Sequence, residues 1–514
     1  MEETGRYRKI LYLIFFALIA YLVINTGIVS DDILYTSNYR NEEIRNLLVP
    51  FGGWTTTPVE IFTHVIWYHF FRFDDSALIN IIKILYIILS FYFITKFFRI
   101  YLKTLDAFLV SFSFLFFPSH DSTIYWFLGQ YFTLCIAIYF YAYYLASNNR
   151  YIPALAAATI ASFICYGSPV IAVSLSLIFM LHGNIKKAIT ILIPNVIYCA
   201  YYLFVTKIMH SGIDRIPAGF NIYAIAKQFL LQVLSFIDAT LGPSMWMKIY
   251  YSMGALSVAS VAIGVLGTVV LYMVYRNDKR MPDRTVMAGF ILLAVLSFAM
   301  FSVTSGYYPQ IAFNMGNRTT MFGSLLIVYL IALLPMPRLL RIALFSVLLF
   351  SALGISDHWK DWYSHQQKVI ENIRKNRQFD TVKDEVVYVS GNQYSHLGKL
   401  CHIEFFSEQT VVGPLFKFLL KRKYQTKPMN KRQRYENGYM IDTKYGIITE
   451  TGDHINVYDS EKDSLIRIER DDINKYINTL PHDDRHWIQV VDIKFIKDLI
   501  LKITPRLKYA LGSS

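Results

Sequence analysis

Residues 58–72 read PVEIFTHVIWYHFFR, and the topology of the chain turns on whether they cross a membrane. The stretch is apolar enough to tempt a crossing. Yet it carries Glu60, His64 and His69 and runs only about 15 residues, short of the ~20 that span a ~30 Å hydrocarbon layer. If it crosses, Lys96, Arg99 and Lys103 fall outside. If it lies on the outer surface as an amphipathic helix, they fall inside, as do Arg150, Lys186-Lys187, the 276–284 basic cluster and Arg338/Arg341. Cytoplasmic loops are enriched in Lys and Arg, and the surface-helix reading meets that bias at five successive loops. It is the reading adopted.

Working outward from that segment, apolar runs lie at 10–29, 77–97, 104–118, 123–146, 151–167, 169–183, 187–206, 250–275, 284–303, 318–335 and 339–355, giving 11 spans. The first follows Arg6, Arg8 and Lys9, is long for a signal-peptide core and lacks a small-x-small cleavage site. It reads as an uncleaved helix with a cytoplasmic N-terminus. The outer connections are then 30–76, 119–122, 167–169, 207–249 and 305–317, with the tail 356–514, and every long loop is among them.

Charge divides the chain at the same place. The tail holds 26 basic and 22 acidic residues, leaving 24 and 15 for 1–355, so charged residues are about 30% of one part and about 11% of the other. Over all 514 residues, 54% are hydrophobic and only 17% charged, against about 25% charged in ordinary soluble domains. Mean hydropathy is +0.35. The expected fold is a polytopic α-helical membrane protein of about 11 spans (1–355) with a C-terminal soluble α+β domain (356–514) on the outer face. In the tail, a polar helical stretch to about 377 is followed by strand-like runs at 386–390 and within 438–470, punctuated by Asn437-Gly438 and Thr451-Gly452. A last helix is expected near 487–502.

Several function classes drop out. Disulfide scaffolds, disorder and collagen-like repeats do not fit the composition. The net charge of +13 is explained by basic cytoplasmic loop ends, and no nucleic-acid partner is expected. The basic run Lys417–Arg434 reads as a solvated helix. The four cysteines, Cys135, Cys165, Cys199 and Cys401, form no CxxC spacing. No GxxxxGK[ST], HExxH or GxSxG occurs.

Candidate chemistry gathers on the outer side. Asp31 and Asp32 follow the first span; an interfacial helix stop is the plainer reading of such a pair. Pro118-Ser119-His120-Asp121-Ser122 adds a carboxylate and an imidazole, with helix capping by Ser119 or Asp121 the plainer alternative. Lys207, His210, Arg215 and Lys248 border the long loop, where snorkelling cations are common. Arg318 starts a span against the inside bias, with Tyr307 and Tyr308 across its loop. Its guanidinium suits a bidentate phosphate. Carboxylates that take a hydroxyl proton and cations that hold a phosphate suit displacement at a sugar carbon with a lipid phosphate leaving. The many aromatics, 38 Phe and 38 Tyr, are those of interfacial belts and lipid-facing packing before they are a polyprenyl groove.

The layout of about 1–355 resembles the GT-C superfamily of polyprenyl-phosphate-sugar-dependent glycosyltransferases, and within it the bacterial and phage-borne O-antigen-modifying (serotype-converting) glucosyltransferases. The residues that carry the likeness are the acidic pair Asp31-Asp32, the long first outer loop, His120-Asp121 and Arg318, together with a closing soluble domain. The resemblance implies Asp32 or Asp31 as catalytic base, Asp121 as second acidic residue, and Arg318, with Arg215, on the phosphate. His120, Tyr307, Tyr308 and Lys248 join as substrate-binding residues. It leaves open a divalent cation (Mg or Mn) between Asp32 and Asp121. It implies a multi-pass protein of the bacterial plasma membrane, with a lipid-linked sugar donor, a glycan or glycolipid acceptor and membrane lipids as partners. A WWD-type signature is lacking, against protein N-glycosylation. An O-antigen-type polymerase or ligase and a lipid-linked-sugar flippase are the competing expectations.

Overall fold

The computed structural model describes residues 5–40, 55–73, 75–212, 214–216, 221–275, 283–304, 309–334, 336–382, 386–421, 425–443, 446–483, 485, 487 and 494–503. The chain forms two compact units. The first comprises 1–27, 41–312 and 316–360, and the second 28–40, 313–315 and 361–514.

The first unit is helical. Among the described residues, six helices are long and apolar enough to cross a membrane: Ala77–Phe98, Ile185–Ile208, Ile222–Gly254, Arg284–Val303, Met315–Leu333 and Arg338–Lys375. Shorter apolar helices, among them Thr104–Leu115, Tyr151–Ile164, Ser168–Leu181 and Val258–Val274, accompany them. The helix Val258–Val274 shows what such a unit is built for. Its buried residues are Ser260 and Gly264, whereas Val258, Leu266 and Met273 are exposed. Small residues face inward and apolar ones outward, the reverse of a water-soluble helix and the pattern of one packed in lipid. A Cβ on Gly264 would stand 2.4 Å from the Phe350 ring, so the missing side chain permits the close approach. The buried Lys83 is fully paired: its Nζ donates to Thr26 Oγ1 (2.7 Å), Gly27 O (2.8 Å) and Tyr125 O (2.5 Å).

Several sequence-based boundaries shift. The run 250–275 breaks after Gly254, because Ser257 caps a new helix by accepting from Ser260 N at 3.2 Å. The run 123–146 breaks into Ser122–Tyr125 and Gln130–Ser147. The expected loop 207–249 is largely helical, as Ile222–Thr240 and Pro243–Gly254. The last span and the polar stretch after it are one helix, Arg338–Lys375, inside which the boundary between the units falls. The segment 58–72 is helical, as Pro58–Glu60, a wide π turn Ile61–Val65 and Ile66–Phe70. Its buried face carries Glu60 and His64 among Ile61, Val65 and Tyr68, while Phe62 and Phe70 are exposed.

Among the described residues the second unit carries nine strands: β1 (Val386–Ser390), β2 (Tyr394–Leu397), β3 (Leu400–Glu404), β4 (Gln425–Pro428), β5 (Gln433–Glu436), β6 (Tyr439–Asp442), β7 (Ile447–Glu450), β8 (His454–Asp459) and β9 (Ser464–Glu469). The main sheet runs β4-β1-β8-β9, with β1 parallel to both neighbours and β9 antiparallel. The central strand, VVYVS, is apolar and buried almost throughout, as a strand covered on both faces must be. Strands β2 and β3 form a hairpin, and β5-β6-β7 a meander. Asn437 (φ 51°) and Gly438 (φ 86°) make the two-residue β5–β6 turn, the left-handed geometry that Asn-Gly favours. Tyr388, Val457, Met429 and Ile473 centre the core. The basic run Lys417–Arg434 is the end of helix Gln409–Leu420 followed by β4 and β5, because sheet pairing outweighs helical continuation there. The closing helix is Lys494–Ile503, and the earlier part of the expected one, 488–493, lies outside the described residues.

Candidate functional site

The tight turn Pro118–His120 delivers Asp121 into a sealed polar hub of the first unit. Its Oδ1 accepts from Lys248 Nζ at 2.6 Å and from Asn317 Nδ2 at 2.5 Å, and its Oδ2 from Trp359 Nε1 at 2.7 Å. Lys248 and Asn317 both donate onward to Ala312 O, at 2.5 and 3.2 Å. Asp121 and Lys248 are 3% and 0% exposed, so this ion pair is desolvated and must be fully hydrogen-bonded to persist. Asp121 does not cap the following helix with its side chain; it ties segments more than a hundred residues apart. An ammonium at 2.6 Å on Oδ1 does not fit a divalent-cation ligand. Among the described residues no three His, Cys, Asp or Glu side chains gather around a cation position.

His120 is buried between Phe114 and Phe117, with Nδ1 3.1 Å from Thr123 Oγ1. Burial pulls its pKa down to about 3, so the ring is neutral. Asp31 and Asp32 belong to the second unit and open helix Asp31–Tyr39, where carboxylates complement the helix dipole. They do not end the first helix, which stops at Val23. Asp32 is wholly buried and its Oδ2 accepts from Val29 N at 3.3 Å. Tyr307 and Tyr308 lie outside the described residues. Lys207 is paired with Asp214 at 2.5 Å.

The two arginines converge. The Arg215 guanidinium lies 4.4 Å over the Tyr166 ring and that of Arg318 5.2 Å over Trp126, and both act electrostatically on the Tyr166 hydroxyl. Glu60 joins them, within the field of Arg215 and itself acting on Tyr131, whose ring centroid is 6.3 Å from that of Tyr166. Glu60 is held by Thr57, whose Oγ1 donates to Oε2 at 2.7 Å. The segment is anchored by Tyr201, whose hydroxyl donates to Thr55 O at 2.7 Å. Burial pushes Glu60 up to about 8, against the pull of Thr57 and Arg215. Its proton is therefore exchangeable near neutral pH. Arg215 also borders a cavity of about 350 Å³ with walls that include Tyr198, Leu203, Met300 and Val303.

The cluster thus contains two stacked cations, a poised carboxyl and an apolar recess. Sequence reading singled out Arg215 and Arg318 but not Glu60, Tyr166 or Trp126. The signal for Glu60 was present, since a lone carboxylate in an apolar stretch needs a reason to be there. Likewise Asn317 and Trp359 complete the Asp121 hub without a sequence signal beyond Asn317 adjoining Arg318. No known family model matches the chain, and comparison with curated proteins returns no match.

Proposed function

We propose that this protein is a membrane glycosyltransferase of the GT-C kind. It moves a sugar from a polyprenyl-phosphate carrier to a cell-envelope glycan on the outer face of the bacterial plasma membrane. The reading includes 11 crossings, a cytoplasmic N-terminus and an extracytoplasmic C-terminal domain, as the basic loops favour. The observation that carries it is that Arg215 and Arg318 both act on Tyr166, with Glu60 in the field of Arg215, and that Arg215 and Tyr166 border an apolar cavity. Forked guanidiniums suit a phosphate headgroup, and stacking on aromatic rings pre-orients them. The apolar recess suits the first isoprene units.

In the proposed step an acceptor hydroxyl oxygen attacks the anomeric carbon while Glu60 takes its proton. The bond from that carbon to the phosphate oxygen breaks, and the electron pair leaves with the lipid phosphate. Arg215 and Arg318 neutralise the developing charge. One displacement inverts the anomeric configuration, and no nucleotide or covalent enzyme intermediate is needed. A base with a pKa near the working pH is the efficient one. The test is transfer from undecaprenyl-phosphate-[¹⁴C]glucose to lipopolysaccharide by the purified protein in liposomes. Arg215→Ala and Arg318→Ala should each cut the rate by about 10²–10³. Wild-type rates in both would overturn the reading. Addition of single sugars separates it from a polymerase or ligase, which would transfer blocks.

A further inference from the structure

We infer that the second unit carries a glycan-binding crevice at the carboxyl ends of β1, β4 and β8. The sheet order places β4 on one side of β1 and β8 on the other, all three parallel. The chain leaves β1 toward one neighbour and later returns to the opposite one. At such a switch point the loops diverge and leave a gap, the usual ligand position of open parallel sheets. A cavity of about 520 Å³ opens there, within the ~300–1,000 Å³ of small-molecule sites. Its lining includes the turns after the three strands, Gly391-Asn392-Gln393, Met429-Asn430 and Glu461, together with Trp362 and His365 and the segment around Pro481.

The turn after β1 is shaped for this. Gly391 (φ 75°) and Asn392 (φ 47°) are both left-handed, and a Cβ on Gly391 would stand 2.9 Å from Glu461 Cγ. Asn392 Oδ1 is held 2.6 Å from His365 Nε2, and that imidazole stacks on Trp362 at 5.1 Å and 23°. Trp362 Nε1 and Asp483 Oδ1, one donor and one acceptor in residues lining the cavity, are buried and make no hydrogen bond among the described residues. Groups of that kind ask for a polar ligand.

The lining specifies which. Asn430 and Asn478 are amides, each both donor and acceptor, as a sugar hydroxyl is, while Asn392 and Gln393, held by His365 and Ser460 and by Val389 O, shape the turn beside them. Charges of both signs are present, and Arg432 is already tied to Glu408 at 3.1 Å and Asp442 at 3.7 Å. A free anion therefore meets the carboxylates Glu461 and Asp483 beside the lining's other basic side chain, Lys431. The indole of Trp362, with the His365 ring stacked on one side, adds apolar surface for a pyranose ring. A short, largely neutral glycan meets all of these demands.

The inference stands on the crevice alone, independent of the transfer reaction. The test applies the full-length protein in nanodiscs to an array of neutral, amino-sugar and acidic oligosaccharides. The best glycan is then titrated by saturation-transfer NMR, with inorganic phosphate as control. Saturable glycan binding is expected, weakened at least tenfold by Glu461→Gln and by Asn430→Ala while the melting temperature holds. Trp362→Phe provides a third variant should either of these unfold. Absence of any glycan binding, unchanged affinity in the folded variants, or a preference for bare phosphate would overturn it. Because no donor is present, this result is distinct from success or failure of the arginine variants in transfer.

Discussion

Lys248 Nζ and Asp121 Oδ1 lie 2.6 Å apart with both side chains sealed from solvent. With Asn317 and Trp359 completing the carboxylate's partners, Asp121 is saturated by the fold itself. Its first duty is architectural, holding the turn at 118–120 to the segments that bring Lys248, Asn317 and Trp359.

Removing one member of this pair should be far worse than removing both. Lys248→Met leaves a buried, uncompensated carboxylate and should cost about 3–5 kcal/mol, whereas Asp121→Leu with Lys248→Met should recover much of it. Thermal unfolding in detergent checks this. Equal losses in single and double variants would show that the pair carries no coupling.

Glu60 should impose two opposite pH trends. The proposed transfer uses its carboxylate as base, so the rate should rise with pH up to about 8 and flatten above it. Stability should move the other way. The folded protein holds the Glu60 proton more tightly than the unfolded chain, so stability falls as pH climbs from about 4.5 to about 8. Glu60→Gln should abolish transfer and remove that part of the stability slope. A variant with intact transfer would exclude Glu60 as the base.

Charge alone should not replace the arginine fork. Arg318→Lys keeps a cation but loses the planar, bidentate geometry and the stacking on Trp126. Its transfer rate should stay at least tenfold below wild type, with tighter dependence on donor concentration. Steady-state kinetics with varied donor reads both quantities.

Gly354 is a contact point between helices. A Cβ there would sit 1.9 Å from the backbone oxygen of Ser252, which cannot rotate away. Gly354→Ala should destabilise by about 1–3 kcal/mol, visible as a lower melting temperature, while Gly254→Ala, with nothing within 4 Å of its Cβ, should not.

Much of the architecture was legible because hydropathy and turn chemistry are local. The apolar runs, the strands VVYVS and HINVY, and the Asn437-Gly438 hairpin all follow from neighbours within a few residues. Breaks at 126–129 and 255–257 were hidden because apolar composition does not register a changed helix axis. The candidate site was half legible. Arg215 and Arg318 stood out by residue type, but their common neighbour Tyr166 is a long-range relationship. In the sequence Glu60 is only a charge that argues against a span, since burial of its carboxyl shows only in the packed structure. Asp121 and Lys248 were each noticed, while their 2.6 Å pairing across 127 residues could not be.

The helix Val258–Val274, with Ser260 and Gly264 inward and Val258, Leu266 and Met273 outward, inverts the usual map of mutational tolerance. Exchanging one greasy side chain for another along its outer stripe should be nearly silent. The smallest inward residues should be the intolerant ones, and a deep scan of these seventeen positions would carry an imprint opposite to that of a helix bathed in water.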